Sequence, residues 1–388
     1  RRNPVTRRTH VYHHQCDQFA IGDVVLPKKS FVIVQTGVRE LVCRELPIPQ
    51  IDANSAILRI EACGICGSDY EQYEGLLGAP IPAVPGHEPL GRIAAIGDNA
   101  ARRWNVDVGD RVAVETMIAC HGCSTCLGGQ YHLCGQRRIY SYIPLSDEPG
   151  LWGAYSQYMF IDGNSIVHKM DPDLPPEIAV MFNPLGAGYR WAVEIPQTKI
   201  GDDILIMGPG QRGLASVIAA REAGAKNIIV TGLAADARKL KLAQEFGADY
   251  VIDVDNEDPV DRVLEITRGR GVDVVLDVSP YAVKPVSDAL LMIRAGGTIV
   301  LAGVKGGKAI PNFMSDQVLM KEITIKGAIG VTSSGYTSAI RTIESGRVPI
   351  AKMHTHNFKL EEAELAIRTL AREIPGVESI HSCLIPEF

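Results

Sequence analysis

The stretch DDILIMGPGQRGLASVIAAREAGAKNIIVTG, residues 202–232, restricts the possible folds of this chain more than any other. The run DILIM at 203–207 is apolar almost throughout and suits a buried parallel strand. Gly208, Gly210 and Gly213 then spell G-x-G-x-x-G around Gln211 and Arg212, and the alanine-rich segment 211–224 predicts a helix. Between a strand and a helix, such glycines permit a tight turn, close approach of a pyrophosphate and helix packing, with the helix N-terminus facing the anion. The triplet alone carries little weight in a chain with 38 glycines. The alternation that follows carries more: strands near 227–231, 250–252, 273–278 and 297–302, with helices from about 236, near 259–268 and at 282–293. This succession predicts a doubly wound parallel sheet that binds a dinucleotide.

A chain of 388 residues exceeds what one core usually holds, so a second domain is expected. The segment ACHGCSTCLGGQYHLC, 119–134, holds Cys120, Cys123, Cys126 and Cys134 at C-x2-C-x2-C-x7-C spacing. Nine cysteines is an odd number, and this clustering is unlike a disulfide framework. Four thiolates so spaced suit a zinc ion, and glycines at 122, 128 and 129 let the loop turn back on it. A site with four protein ligands has no open position, so this lobe reads as structural.

Reactive groups are therefore sought upstream, in EACGICGSDYEQYEG (61–75) and PAVPGHEPLGRIAAIGDNA (82–100). Cys66, His87 and the adjacent Glu88 make an incomplete ligand set, which is what a catalytic zinc requires: the remaining position can take a water or an alcohol oxygen. A net charge of −6 without a long Lys/Arg tract argues against nucleic acid, and no apolar run reaches a membrane span. Residues 1–23 are basic and polar without an apolar core, so they do not read as a secretory signal, and a cytoplasmic location is expected.

In combination, CGICGSD, GHEPLGRIAAIG, the four-cysteine lobe and GPGQRG make the chain from about residue 29 onward resemble the zinc-containing medium-chain dehydrogenase/reductase family, of alcohol, sorbitol and threonine dehydrogenase type. The resemblance implies an α/β chain with a GroES-like, mainly-β catalytic domain over 29–186 and 327–388, a structural zinc lobe at 119–135, and an inserted Rossmann domain over 187–326. Residues 1–28 form an N-terminal extension. It implies Cys66 and His87 as ligands of a catalytic zinc, Asp69 as their support, Ser68 as the hydroxyl that takes the substrate proton, and Thr116 and Met117 in the pocket wall. Homodimers or homotetramers are the expected assemblies.

The chain departs from that pattern in three places. Where relatives place a Cys, Glu or Asp as the next zinc ligand, AVMFNPLGAGYRW offers Asn183, whose neutral amide oxygen is a poorer zinc ligand. Either Asn183 binds weakly, or Glu88 coordinates directly, or the metal is held loosely; we favour Glu88 with a water. Where many relatives relay the proton through a histidine, Glu71 stands here; it is either a relay, its pKa raised from about 4.3, or a solvated surface residue. At the end of the second Rossmann strand, Gly232 replaces the acid that normally binds the adenosine ribose. Asp236 either replaces that acid or caps the next helix, while Arg238 or Lys239 offers charge to a 2′-phosphate, so NAD and NADP both remain open.

The expected activity is zinc-dependent hydride transfer between NAD(P) and a secondary alcohol, polyol or corresponding ketone. Its rivals are an NAD(P)H-dependent reductase of an activated double bond, and a dinucleotide-binding protein without turnover.

Overall fold

Six parallel strands form the sheet onto which the glycine-rich turn opens, in the order Tyr250–Asp253, Asn227–Gly232, Asp203–Met207, Val272–Asp277, Ile293–Leu301, Thr324–Gly327. This is the 3-2-1-4-5-6 order of a doubly wound dinucleotide fold. The connecting helices include Gln211–Glu222, Ala237–Glu245, Pro259–Ile266 and Lys284–Met292. Local chemistry sets their starts: Asp258 accepts from the amides of Val260 and Asp261, and Pro259 occupies the first turn. The fifth strand begins at Ile293, four residues before the position expected from the sequence, because its register shifts across Ala295-Gly296-Gly297, where Gly296 takes φ +70°.

The computed structural model describes residues 18–21 and 24–388, so the greater part of the extension expected over 1–28 lies outside the described residues. A second, seven-stranded sheet is built from both ends of the chain. Its long strand Ala56–Ile65 pairs antiparallel with Pro89–Ile96, Tyr158–Ile161 and His381–Leu384. Among the described residues no helix is long and apolar enough to cross a membrane.

The sheets share a core. Ala62, Leu90 and Ala113 of the seven-stranded sheet belong to the same buried cluster as Ile204, Ile206, Leu214 and Val230 of the parallel sheet. The helix Phe182–Tyr189 lies in that cluster and passes at its C-terminal end into a π-helical turn, Arg190–Glu194. Continuous packing of this kind fixes the mutual position of Cys66, His87 and the Gly208–Gly213 turn more firmly than surface loops could.

Candidate active site

Cys120, Cys123, Cys126 and Cys134 form a closed ring of sulfurs, with Sγ separations of 3.5 Å (Cys123–Cys126 and Cys120–Cys134), 3.8 Å (Cys120–Cys126) and 3.9 Å (Cys123–Cys134). All four are free thiols. Sulfurs bound at about 2.3 Å to one tetrahedral zinc lie about 3.8 Å apart, so the donors already have the spacing the ion needs. The backbone amides of Gly122 and Cys123 hold the Cys120 thiol down at about 6. Sulfurs this close cannot all ionise without a cation among them. The lobe is tied to the body of the chain by Tyr131, whose hydroxyl donates to the buried Glu115 carboxylate at 2.7 Å.

The second cluster is fully buried. Cys66 follows the strand Ala56–Ile65 and serves as N-cap of the helix Gly67–Tyr73, where its amide donates to Asp69 Oδ2 at 2.8 Å. The other Asp69 oxygen lies 3.3 Å from His87 Nδ1, so one carboxylate orients both residues and turns His87 Nε2 toward Cys66 Sγ, 3.3 Å away. Nitrogen and sulfur sharing one tetrahedral zinc would be separated by about 3.5 Å. Glu88 is completely buried, and a ligand oxygen of its carboxylate lies within 4.8 Å of both the Cys66 and His87 donors. Its Oε1 accepts from Arg212 Nη2 at 3.0 Å, whereas Oε2 has no partner. A Cβ on Gly64 would come within 2.3 Å of Oε2, which explains the glycine of the CGICG run. Burial opposes the charge on His87, yet Asp69 and Cys66 outweigh it and hold its pKa well above the ordinary imidazole range. A buried thiol, imidazole and carboxylate that converge in one pocket, with one carboxylate oxygen unused, suit a cation.

Ser68 Oγ lies 2.9 Å from Cys66 Sγ and 3.3 Å from His87 Nε2, at the edge of this cluster. Glu71 lies one helical turn farther on and is buried, accepting from the Tyr281 hydroxyl at 2.9 Å, so it is not a solvated surface residue. Burial raises its pKa and the Tyr281 hydrogen bond opposes the rise. Thr116 Oγ1 donates to the His87 carbonyl at 2.8 Å, and Met117 is buried beside Gly330.

Asn183 turns its amide nitrogen to Thr116 Oγ1 and the Tyr336 hydroxyl, both at 3.2 Å, and its oxygen accepts from Arg212 at 3.3 Å. Its side chain is thus engaged by neighbours other than Cys66 and His87.

At the dinucleotide turn, Gly208 takes φ +109° and a Cβ on Gly213 would lie 1.9 Å from the Gly208 carbonyl, so both glycines are structurally required. A Cβ on Gly210 would meet nothing within 4 Å, leaving open space at the N-cap of the helix Gln211–Glu222, where an anion can approach. Gln211 donates to the Ile65 carbonyl at 3.0 Å, joining the turn to the strand that precedes Cys66. The Arg212 side chain runs to Glu88 and Asn183, a position that the motif did not announce.

At the second strand tip, a Cβ on Gly232 would lie 2.8 Å from Pro209 Cγ. Asp236 accepts from the Leu233 amide at 3.2 Å, lies 3.7 Å from Lys239 Nζ and pairs with Arg372. It therefore caps its own turn while meeting a cation from the other sheet's half of the chain. Arg238 is exposed, 3.8 Å from Glu378. Tyr281 and Arg372 escaped the sequence reading because 210 and 136 positions separate them from Glu71 and Asp236, and no local pattern marks either contact.

Residues 52–172 match the family described as alcohol dehydrogenase GroES-like domain, and residues 213–345 match zinc-binding dehydrogenase. The chain is 45% identical over 359 residues to a probable alcohol dehydrogenase of Mycobacterium tuberculosis, covering 91% of this chain and 98% of that protein. It is 32% identical over 373 residues to an erythritol/L-threitol dehydrogenase of Mycolicibacterium smegmatis, covering 93% and 99%. A solved alcohol dehydrogenase from Thermotoga maritima superimposes with a TM-score of 0.82 at 26% identity, over 92% of this chain and 100% of that one. With two metal-competent clusters at the two cysteine motifs and a 3-2-1-4-5-6 parallel sheet, the chain belongs to the zinc-containing medium-chain dehydrogenase/reductase family.

Proposed function

We propose that this enzyme oxidises a secondary alcohol or polyol, and reduces the corresponding ketone, by exchanging a hydride with a nicotinamide dinucleotide. The observation that carries this reading is the convergence of Cys66 Sγ, His87 Nε2 and an unpartnered Glu88 oxygen in one buried pocket adjoining the Gly208–Gly213 turn. The names of the mycobacterial relatives, an alcohol and a tetritol dehydrogenase, support the substrate class.

Cys66, His87 and Glu88 would hold the catalytic zinc, and the four cysteines of the lobe a structural one. A zinc ion with an open position supplies Lewis acidity, stabilising negative charge on an alcohol oxygen, and the nicotinamide accepts the hydride. Asp69 orients His87 and Cys66. Ser68 Oγ, at the edge of the cluster, takes the hydroxyl proton and passes it outward, with Glu71 as the next acceptor on the same helix face. The open N-terminus of the helix Gln211–Glu222 receives the pyrophosphate.

Homo-oligomers remain part of this reading. The strand Thr324–Gly327 ends its sheet with one edge unpaired among the described residues, near the exposed Leu319, Met320 and Ile329. Light scattering of the purified protein measures that state.

The activity is tested by following NADH and NADPH formation over a panel of secondary alcohols and polyols, with and without stripping of the metal. Metal-dependent turnover on this panel is expected. Coenzyme binding without turnover on any alcohol or ketone would sink the proposal.

A further inference from the structure

Arg212 is a half-buried cation at the pocket proposed to hold a dication. It stands on the first turn of the helix Gln211–Glu222, and its guanidinium lies against the ligand cluster. Nη2 contacts Glu88 Oε1 at 3.0 Å and Asn183 Oδ1 at 3.3 Å, and the guanidinium carbon sits 5.2 Å from the centre of the Trp191 ring. The Glu88 side chain has no solvent exposure and that of Arg212 only 22%, so water does little to screen the pair.

Two features make this more than a structural ion pair. Glu88 has two oxygens: Arg212 takes one, and the other is pressed over Gly64 with no partner. A metal reaching Glu88 must therefore either displace Arg212 from Oε1 or bind beside it through Oε2, and in both cases a dication approaches a fixed positive charge. Asn183 accepts from the same Arg212 nitrogen and is held in turn through Thr116 and Tyr336, so the guanidinium cannot swing away without breaking a second contact.

We infer that Arg212 is a positioning residue that competes with the catalytic metal for Glu88, weakening the metal's hold on the Cys66/His87/Glu88 site. The inference rests on the proposed ligand set and adds to it a resident competitor carried by the dinucleotide turn. Without the metal, Arg212 neutralises the buried carboxylate; with the metal bound, the Arg212–Glu88 contact loosens.

The test is the zinc affinity of the weaker site, measured on the full-length protein by competition with a chromogenic chelator, with total metal counted alongside. Wild type, Arg212→Met, Arg212→Gln, Arg212→Lys, Glu88→Gln and the double change Arg212→Met/Glu88→Gln are compared, and far-UV circular dichroism confirms folding. Arg212→Met is expected to bind zinc at least tenfold more tightly than wild type, with Arg212→Gln moving the same way and Arg212→Lys staying near wild type. In the Glu88→Gln background the gain shrinks to the part that charge repulsion alone supplies, because the competition runs through the carboxylate. Unchanged or weaker zinc binding in the neutral variants overturns the inference, as does an equal gain with and without Glu88. Should Arg212→Met fail to fold, Arg212→Gln decides by the same criteria. If wild type binds a single zinc that survives Cys66→Ser, the proposed ligand set and this inference both fall, whereas two metals with no Arg212 effect overturn the inference alone.

Discussion

The Tyr281 hydroxyl donates to Glu71 Oε1 across 2.9 Å, joining the loop after the strand Val272–Asp277 to the helix Gly67–Tyr73 that carries Ser68. Burial holds Glu71 above the ordinary carboxylate range, and the Tyr281 hydrogen bond, which favours the charged form, pulls it back. If Glu71 accepts the proton leaving Ser68, it must be ionised for alcohol oxidation. Tyr281→Phe removes the contact that lowers its pKa, so the acid limb of the pH profile of kcat/KM moves to higher pH. Glu71→Gln removes the acceptor and lowers the oxidation rate by about 10²-fold. A Tyr281→Phe profile that coincides with wild type would show that Glu71 has no part in the proton path.

The two metal clusters differ in closure, and that difference is measurable. Four thiolates at near-tetrahedral separations should retain zinc under mild chelation, while the three-ligand Cys66 site loses its zinc together with activity. Cys123→Ser is expected to lower the melting temperature by about 5 °C or more, since metal binding at such a lobe is part of its folding free energy. Cys66→Ser should abolish turnover with a much smaller thermal effect. Metal analysis paired with melting curves reads both, and full activity in Cys66→Ser contradicts the assignment.

Glu88 and Asn183 make opposite predictions. The Asn183 carboxamide is already engaged by Thr116, Tyr336 and Arg212, so Asn183→Ala leaves zinc occupancy near that of wild type. Glu88→Ala removes a donor from the cluster and should weaken zinc binding at that site by at least about tenfold. The reverse ranking in equilibrium dialysis would make the amide the ligand.

What the sequence disclosed was local. The cysteine spacing, the His87-Glu88 adjacency and the glycine turn each set their geometry within a few residues, so their chemistry could be read from spacing. The Asp236 contact with the Leu233 amide is local too, but it closes the turn Ala234–Asp236 rather than capping the helix Ala237–Glu245 as the sequence suggested; Asp236 makes no side-chain bond to that helix's amides, because its carboxylate turns back to Leu233 and to Arg372. The contacts that qualify those readings run between distant segments: Arg212 to Glu88 across 124 positions, Tyr281 to Glu71 across 210, Arg372 to Asp236 across 136. Motif logic describes the backbone of the GPGQRG turn and says nothing about where its arginine side chain goes. The late placing of the fifth strand has a similar origin: a bulge at Gly296 breaks the apolar pattern on which strand limits are judged.

The coenzyme preference turns on a carboxylate, Asp236, set among cations. Gly232 leaves the second strand without an acid, and Pro209 fills the space where its side chain would begin. Two carboxylates reach this turn: Asp255 accepts from the Ala234 amide at 2.8 Å, and Asp236 is engaged by the Leu233 amide, Arg372 and Lys239. Burial and the neighbouring Arg372 hold the Lys239 ammonium below its usual range, with Asp236 acting in the other direction. Removing Asp236 would therefore free Arg372 and leave uncompensated positive charge beside the ribose position, an environment that welcomes a 2′-phosphate and offers nothing to a ribose diol. Asp236→Ala is expected to shift the NADH/NADPH dissociation-constant ratio toward NADPH, by about 1–3 kcal/mol for one charge-assisted contact. The double change Arg238→Ala/Lys239→Ala should shift it the other way, toward NADH. Nicotinamide fluorescence on binding gives both constants for all three proteins. A ratio unmoved by either change would place this turn away from the ribose and assign the selection to other groups.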